Sequence, residues 1–336
     1  MSDGVGAPFW AKVAAAVFYG LSSILIIFVN KIVLTNYKFP SFMFLGLGQM
    51  VATILVLYFA RAFGLVTYPS FSRETFRKVF PLPLIYVVNL VTGLGGTQRL
   101  NLPMFTVLRR FSIFLTMVLE YVILGVKASF AVQVSVGLML LGALIAALND
   151  LAFDSAGYTL ILINDICTAA NGVYMKQKLD AKDLGKNGLL FYNSLFMLLP
   201  AVAIAAAMGE MEKAVEYEGW METGFLFGFL LSCICGFILN YSIVLCTNLN
   251  SALTTTCVGP IKNLIVTYVG MFLGGDYIFT WVNFIGINVS VLGSLLYTYV
   301  TFRKKPAMVV RATKEPSPTH SGEVGELRRR GIRSKF

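Results

Sequence analysis

The sequence predicts an all-α membrane protein of ten transmembrane helices, built as two inverted five-helix repeats. Three observations predict it. Hydrophobic residues make up 57% of the 336-residue chain and charged residues only 13%, about half the charge density of a soluble domain. Apolar stretches of roughly 20 residues, the length that crosses a bilayer, recur along the chain. The Lys and Arg between those stretches gather on alternate connections, as the positive-inside rule requires of a multi-pass protein.

The expected spans cover about 10–35, 41–60, 80–98, 103–124, 129–148, 156–177, 188–208, 223–247, 251–273 and 279–302. The third is the weakest, because "LVTGLGGTQRL" is rich in glycine and polar groups. The longest connections, 61–79, 178–187 and 209–222, are too short for a folded domain. With the N-terminus in the cytosol, 20 of the 27 Lys and Arg fall on the cytosolic side, 3 on the far side and 4 within spans. Both termini are then cytosolic. Five spans is an odd number, so a repeat dividing at about residue 152 enters the membrane the second time from the opposite side, a common plan for alternating-access transporters. The transporter domain is expected over 1–302, with repeats at about 9–152 and 153–302. Residues 303–336 form a basic tail whose "KEPSPTHSGEVGE" cannot build a core.

The net charge of +10 would suit nucleic acid. In a chain this apolar it fits anionic lipid at the cytosolic face instead, and no nucleic-acid partner is expected. The five cysteines lie in apolar stretches without metal-ligand spacing and read as small fillers. The one histidine, His320, sits in the tail. No metal and no cofactor are expected. Small residues four apart (Gly142 with Ala146, Ala143 with Ala147, Ser290 with Ser294) favour close helix packing within the fold over a dimer face, and a homodimer stays open.

Charges inside the spans carry the functional argument. Arg109 and Arg110 stand in "NLPMFTVLRRFSIFLTMVLEYVILG", roughly 10 Å into the fourth span at 1.5 Å per residue. Asp165 in the sixth span matches their depth, so a structural salt bridge competes with a ligand role. Adjacent residues point about 100° apart on a helix, so the two arginines need not share a job. Lys262 lies roughly 16 Å into the ninth span, just after Gly259 and Pro260, whose broken backbone frees carbonyls. Lys31, beside Asn30, lies near the far end of the first span, where snorkelling is an equal alternative. Glu120 reads as a membrane-interface residue. Four cations against two anions leave +2 within the spans, which suits an anionic, phosphorylated cargo. Amides and phenols in the second half (Asn164, Asn171, Tyr192, Asn193, Asn240, Tyr241) can hydrogen-bond or stack on a planar ring. Each taken singly is more often interhelical glue.

The stretches "VNKIVLTNYKFPSF", "NLPMFTVLRRFSI", "TAANGVYMKQKLDAKDLGK", "NSALTTTCVGPIKNLIVTYVGM" and "GGDYIFTW" resemble a nucleotide-sugar transporter of the drug/metabolite transporter superfamily. Within it they resemble the animal UDP-sugar branch, its nematode form in particular, over about residues 18–302. The resemblance implies exchange of cytosolic UDP-glucuronate, UDP-N-acetylgalactosamine or UDP-N-acetylglucosamine for UMP across a Golgi or endoplasmic reticulum membrane. It implies a cavity between the halves, with Tyr192-Asn193 and Asn240-Tyr241 toward the nucleobase and Lys262 on phosphate. Asn30, Lys31, Arg109, Arg110, Asn171, Lys176, Thr255 and Gly259 complete the expected set. The helix-nine motif departs from the GDP-mannose branch by one place, which argues against guanine. Three alternatives remain open: a carrier of another phosphorylated metabolite or drug, a membrane enzyme, and a receptor. No Asp-x-Asp pair or metal-ligand set supports an enzyme.

Overall fold

The computed structural model describes residues 7–99, 108–147, 154–259 and 281–303. Among them there is no strand. The helices are α1 (Phe9–Lys31), continued by a π turn at Ile32–Asn36, α2 (Phe42–Ala62), α3 (Arg73–Val79), α4 (Leu82–Arg99), α5 (Phe111–Leu124) and α6 (Phe130–Ala147). There follow α7 (Ser155–Ala181), α8 (Gly185–Ala207), α9 (Glu210–Val215), α10 (Thr223–Leu249), α11 (252–259) and α12 (Trp281–Arg303). Residues 260–280, which hold most of the ninth expected span and Lys262, lie outside the described residues.

Helix boundaries follow local chemistry. Ser41 caps α2 by accepting from Phe44 N at 3.1 Å. Ser72 and Thr75 form a capping box on α3. Asp154 caps α7, accepting from Ala156 N at 3.2 Å and Gly157 N at 3.3 Å. Each cap satisfies amides that the first helical turn leaves free.

Five described helices are long and apolar enough to cross a membrane: Phe9–Asn36, Phe42–Ala62, Gly185–Ala207, Thr223–Leu249 and Phe284–Phe302. The α3–α4 pair, bent by 51°, makes a sixth if it is one span. Helices α5 and α6 are apolar but shorter. Helix α7 has 27 residues, ample length, but Asn164, Asp165, Asn171, Lys176 and Lys178 make it too polar to qualify. The sixth expected span is thus the most polar long helix in the bundle.

The bundle is apolar outside, and small polar residues lie among the apolar ones inside. Leu21, Leu25 and Phe28 of α1, Tyr58 and Phe59 of α2, and Phe227, Leu230 and Ile234 of α10 are exposed. Ser22, Ser23, Thr53, Thr116, Ser135, Ser232, Ser242, Ser290 and Ser294 are buried. Lipid removes the usual penalty on an apolar exterior, and small interior residues let helices come close.

The helices pack in pairs: α6 with α12, α4 with α7, α1 with α10, α2 with α10, α5 with α7, α2 with α8, and α4 with α8. The α6–α12 crossing is the tightest. A Cβ on Gly142 would sit 2.6 Å from Gly286 O, and one on Gly293 would sit 2.7 Å from Met139 N. Gly142 and Ser290, two of the small residues singled out in the sequence, therefore face each other within one chain.

Phe9 and Phe302 meet edge to face, centroids 6.3 Å apart, so the described chain starts and finishes at one end of the bundle, here the terminal end. At the opposite, distal end, Phe39 of the α1–α2 connection packs with Tyr217, Trp220, Phe225 and Phe229, and Tyr217 OH donates to Tyr37 O at 2.5 Å.

Candidate functional site

Helix α5 starts at a break directly after the two arginines. Ser112 N and Ser112 Oγ both donate back to Arg109 O, at 3.3 and 2.7 Å, and Ile113 N donates to Arg110 O at 3.1 Å. This tight turn places two cations at the N-terminal end of a helix dipole, an arrangement that favours anions. The side chains then part. Arg110 donates to Ser290 Oγ on α12. Arg109 lies within electrostatic range of Asp165 on α7 and of Tyr19 on α1. Arg109 is exposed, while Asp165 is 1% exposed.

Beside it, α7 is fixed to α4 by amides. Asn164 Nδ2 donates to Asn89 O and Asn89 Oδ1, both at 2.6 Å, and Thr168 Oγ1 donates to Asn89 Oδ1 at 3.1 Å. A Cβ on Gly93 would meet Asn164 Nδ2 at 2.9 Å, so a glycine there admits the amide. Asn164 Oδ1 and Asp165 Oδ1 are buried without a hydrogen-bond partner among the described residues. An unsatisfied buried acceptor costs about 1–3 kcal/mol.

A second level lies toward the terminal end. Glu120 is 5% exposed. This corrects the expectation of an interface residue: its Oε1 accepts from Leu253 N at 2.8 Å. It caps the start of α11, which a carboxylate does well because amides converge there. Lys176 Nζ donates to Asn248 O at 3.1 Å and pairs with Asp180 at 3.1 Å. Tyr192 is 1% exposed; its OH donates to Pro69 O at 2.7 Å. Tyr68 stacks on Phe191 at 4.9 Å.

Comparison with known proteins now decides the family. The model of the Triose-phosphate Transporter family matches residues 11–298. The chain belongs to the triose-phosphate transporter family. It is similar to the UDP-sugar transporter sqv-7 of Caenorhabditis elegans, 64% identical over 311 residues that cover 92% of this chain and 94% of that one. The UDP-sugar transporter UST74c of Drosophila melanogaster is 58% identical, covering 90% and 81%. The human nucleotide sugar transporter SLC35D2 is 51% identical, covering 87% and 86%. These relatives place the chain in the animal nucleotide-sugar transporter branch of the family. A solved crystal structure superposes with a TM-score of 0.60 at 12% identity, covering 86% of this chain and 98% of its own, so the fold is shared. The chain is a multi-pass membrane transporter and not an enzyme.

For this triose-phosphate transporter family member, the expected site residues sort into three groups. Arg109 and Arg110 begin together; Arg110 reaches Ser290 of α12, while Arg109 is exposed. Asn30, Lys176, Tyr192 and Thr255 have their polar groups engaged within the protein. Asn30 Oδ1 accepts from Ser232 Oγ at 2.6 Å and from Gln49 Nε2 at 3.3 Å, tying α1, α2 and α10. Thr255 Oγ1 meets Thr247 Oγ1 at 3.0 Å. Asn171, Asn193, Asn240, Tyr241, Lys31 and Gly259 have side chains or backbone less committed. Asn193 Oδ1 is buried and unpartnered, Lys186 Nζ lies 5.6 Å from the centre of the Tyr241 ring, and Lys31 is exposed. Lys262 lies outside the described residues. Sequence reasoning passed over Tyr19, Gln49, Asn89 and Thr168. Gln49 carried a legible signal, a lone amide in an apolar span, and Asn89 a weaker one in a span that is polar toward its end. Tyr19 and Thr168 carried none.

Proposed function

We propose that this protein is a UDP-sugar carrier that exchanges cytosolic UDP-sugar for UMP across a Golgi or endoplasmic reticulum membrane. The observation that carries the reading is Arg109, exposed at the break before α5, a helix that packs on the polar α7. A guanidinium matches phosphate oxygens with paired donors. The relatives' names support a UDP-sugar as that cargo. UDP-glucuronate, UDP-N-acetylgalactosamine and UDP-N-acetylglucosamine are the candidates.

The mechanism we infer is alternating access between two inverted five-helix halves in a ten-span fold. Support comes from the packing pairs. Exchanging α1 with α7, α2 with α8, α4 with α10, α5 with α11 and α6 with α12 turns the α4–α7 contact into α10–α1 and α2–α10 into α8–α4, and leaves α2–α8 and α6–α12 unchanged. All of these contacts are present. In such a scheme Lys262 would take phosphate from the second half as Arg109 does from the first, with both termini cytosolic and the tail against lipid.

The test is uptake into proteoliposomes of purified protein preloaded with UMP. Labelled UDP-glucuronate, UDP-N-acetylgalactosamine, UDP-N-acetylglucosamine, GDP-mannose and CMP-sialate are offered in parallel. The expected result is UDP-sugar uptake that requires internal UMP. A second reading, a carrier of a smaller phosphorylated metabolite, is favoured by the family's own description. Uptake of a sugar phosphate or triose phosphate in place of every UDP-sugar would replace the first reading with it.

A further inference from the structure

We propose that two aromatic straps, 63–72 and 216–222, are the doors of this carrier, one at each end of the bundle. Each is a connection of one half docked on the other half, and each must lift for cargo to pass at its end. The inference rests on the carrier reading with its two halves, and deepens it by naming what closes the site.

The terminal strap joins α2 to α3 and is built as an arm of the first half. Leu65 N and Val66 N donate to Ala60 O at 2.8 and 3.3 Å. Arg61 donates to Ser70 Oγ at 3.1 Å and lies 4.6 Å from the centre of the Tyr68 ring, a cation–π contact. Tyr68 OH donates to Leu57 O at 3.3 Å. The arm then reaches the second half. Tyr68 stacks on Phe191 of α8 at 4.9 Å, and Tyr192 OH donates to Pro69 O at 2.7 Å.

The distal strap repeats this with the halves exchanged. It joins α9 to α10 and is tied to its own half by Trp220 Nε1, which donates to Ala214 O at 2.7 Å. Across the boundary, Tyr217 OH donates to Tyr37 O, and Tyr217 and Trp220 pack edge to face on Phe39. The exchange that carries α2 onto α8 and α4 onto α10 also carries the α2–α4 connection onto the α8–α10 connection. Each connection holds a short helix and a strap, in opposite order. At each end a phenol of the second half donates to a backbone carbonyl of the first. Matched closures at opposite ends are what alternating access between inverted repeats requires.

The terminal strap is docked shallowly. Among residues 63–72 only Tyr68 is buried, and Phe63, Leu65 and Phe71 are exposed. Its hold on α8 rests on the rings of Tyr68 and Phe71 and on one hydrogen bond. Segments with few buried contacts open locally at low free energy, so this strap can lift while the helices stay folded.

The experiment locks the terminal strap. A Cβ on Gly188 would sit 3.0 Å from Tyr68 Cβ, and disulfides join Cβ atoms about 3.5–4.5 Å apart. The Tyr68→Cys/Gly188→Cys pair should therefore bridge on oxidation after a small shift. Wild type and the two single variants, oxidised alike, control for the five native cysteines. Bridged protein in UMP-loaded proteoliposomes should lose UDP-sugar uptake, and dithiothreitol should restore it. Uptake by bridged protein as fast as by its reduced form would overturn the proposal, and so would a folded pair that no oxidant bridges. If wild type takes up no UDP-sugar, the carrier reading fails, and hydrogen–deuterium exchange still decides whether the strap lifts. The amides of 66–72 should exchange more slowly in bridged than in reduced protein; equal rates would show a strap that never opens. Should the pair not fold, Tyr192→Phe tests the same door without new cysteines. Losing one hydroxyl should speed exchange across 66–72 roughly fivefold, as one hydrogen bond warrants, and leave 216–222 as it was. Exchange across 66–72 equal to wild type would overturn the proposal.

Discussion

Replacing Arg110 with alanine removes its donation to Ser290 on α12. A hydrogen bond from a charged donor contributes about 2 kcal/mol, so Arg110→Ala should lower the Tm of detergent-purified protein. Arg109→Ala should abolish UMP-dependent uptake instead, because the carrier reading puts phosphate on this exposed side chain. Glu120→Ala strips the cap from α11 and leaves Leu253 N buried without a partner, at a cost of about 1–3 kcal/mol. Glu120→Gln keeps an acceptor and should recover part of that loss in the same thermal assay. The sequence expected the two arginines to part because helical neighbours point about 100° apart; in the structure they sit in the turn before α5. The caging of Tyr192 by Pro69 and the capping by Glu120 were not legible in the sequence. Both depend on which loop or helix end arrives from far along the chain, and no local pattern encodes that.

At the scale of elements, the α6–α12 crossing leaves no room for a side chain at Gly142, because backbone atoms of Gly286 and Ser290 line the position. Gly142→Val must push the helices apart, an overpacking cost of about 1–3 kcal/mol or more. Fluorescence-detected size-exclusion chromatography should show loss of the monodisperse peak. The connection α9 offers a pH test outside the membrane. Burial pushes the Glu210 carboxyl up, but Lys213 at 2.8 Å and the Ser41 hydroxyl outweigh it and hold the group below its ordinary value of 4.5. A depressed carboxyl stabilises the fold above the unfolded value, and that contribution disappears as pH falls through the folded one. The Tm gap between wild type and Glu210→Gln should therefore be open at neutral pH and close below about pH 4.5. Hydropathy located α1, α2, α8, α10 and α12 well because their apolar runs are long. It served α7 least, because the polarity that disqualifies α7 as an apolar span comes from the residues that reach the candidate site.

For the whole molecule, membrane class and family were readable from composition and from a few motifs. The polar grouping was readable only in the depth match of Asp165 with the arginines; the partner Asn89 on α4 was not, because the hydrogen bonds join positions spaced far apart in the chain. The same scale governs substrate choice. The competing-sugar uptake assay should rank the UDP-sugars above GDP-mannose and CMP-sialate, and a GDP-mannose rate equal to theirs would refute uracil selectivity. One further consequence follows from the edge-to-face contact of Phe9 with Phe302. It brings the beginning and the close of the described fold to a single address. Reporters fused ahead of Phe9 and behind Phe302 would then sit in the same compartment, within energy-transfer distance of each other. They would light or quench together in a pH gradient and fall to the same protease, so a doubly labelled molecule reads out its own sidedness in an intact vesicle.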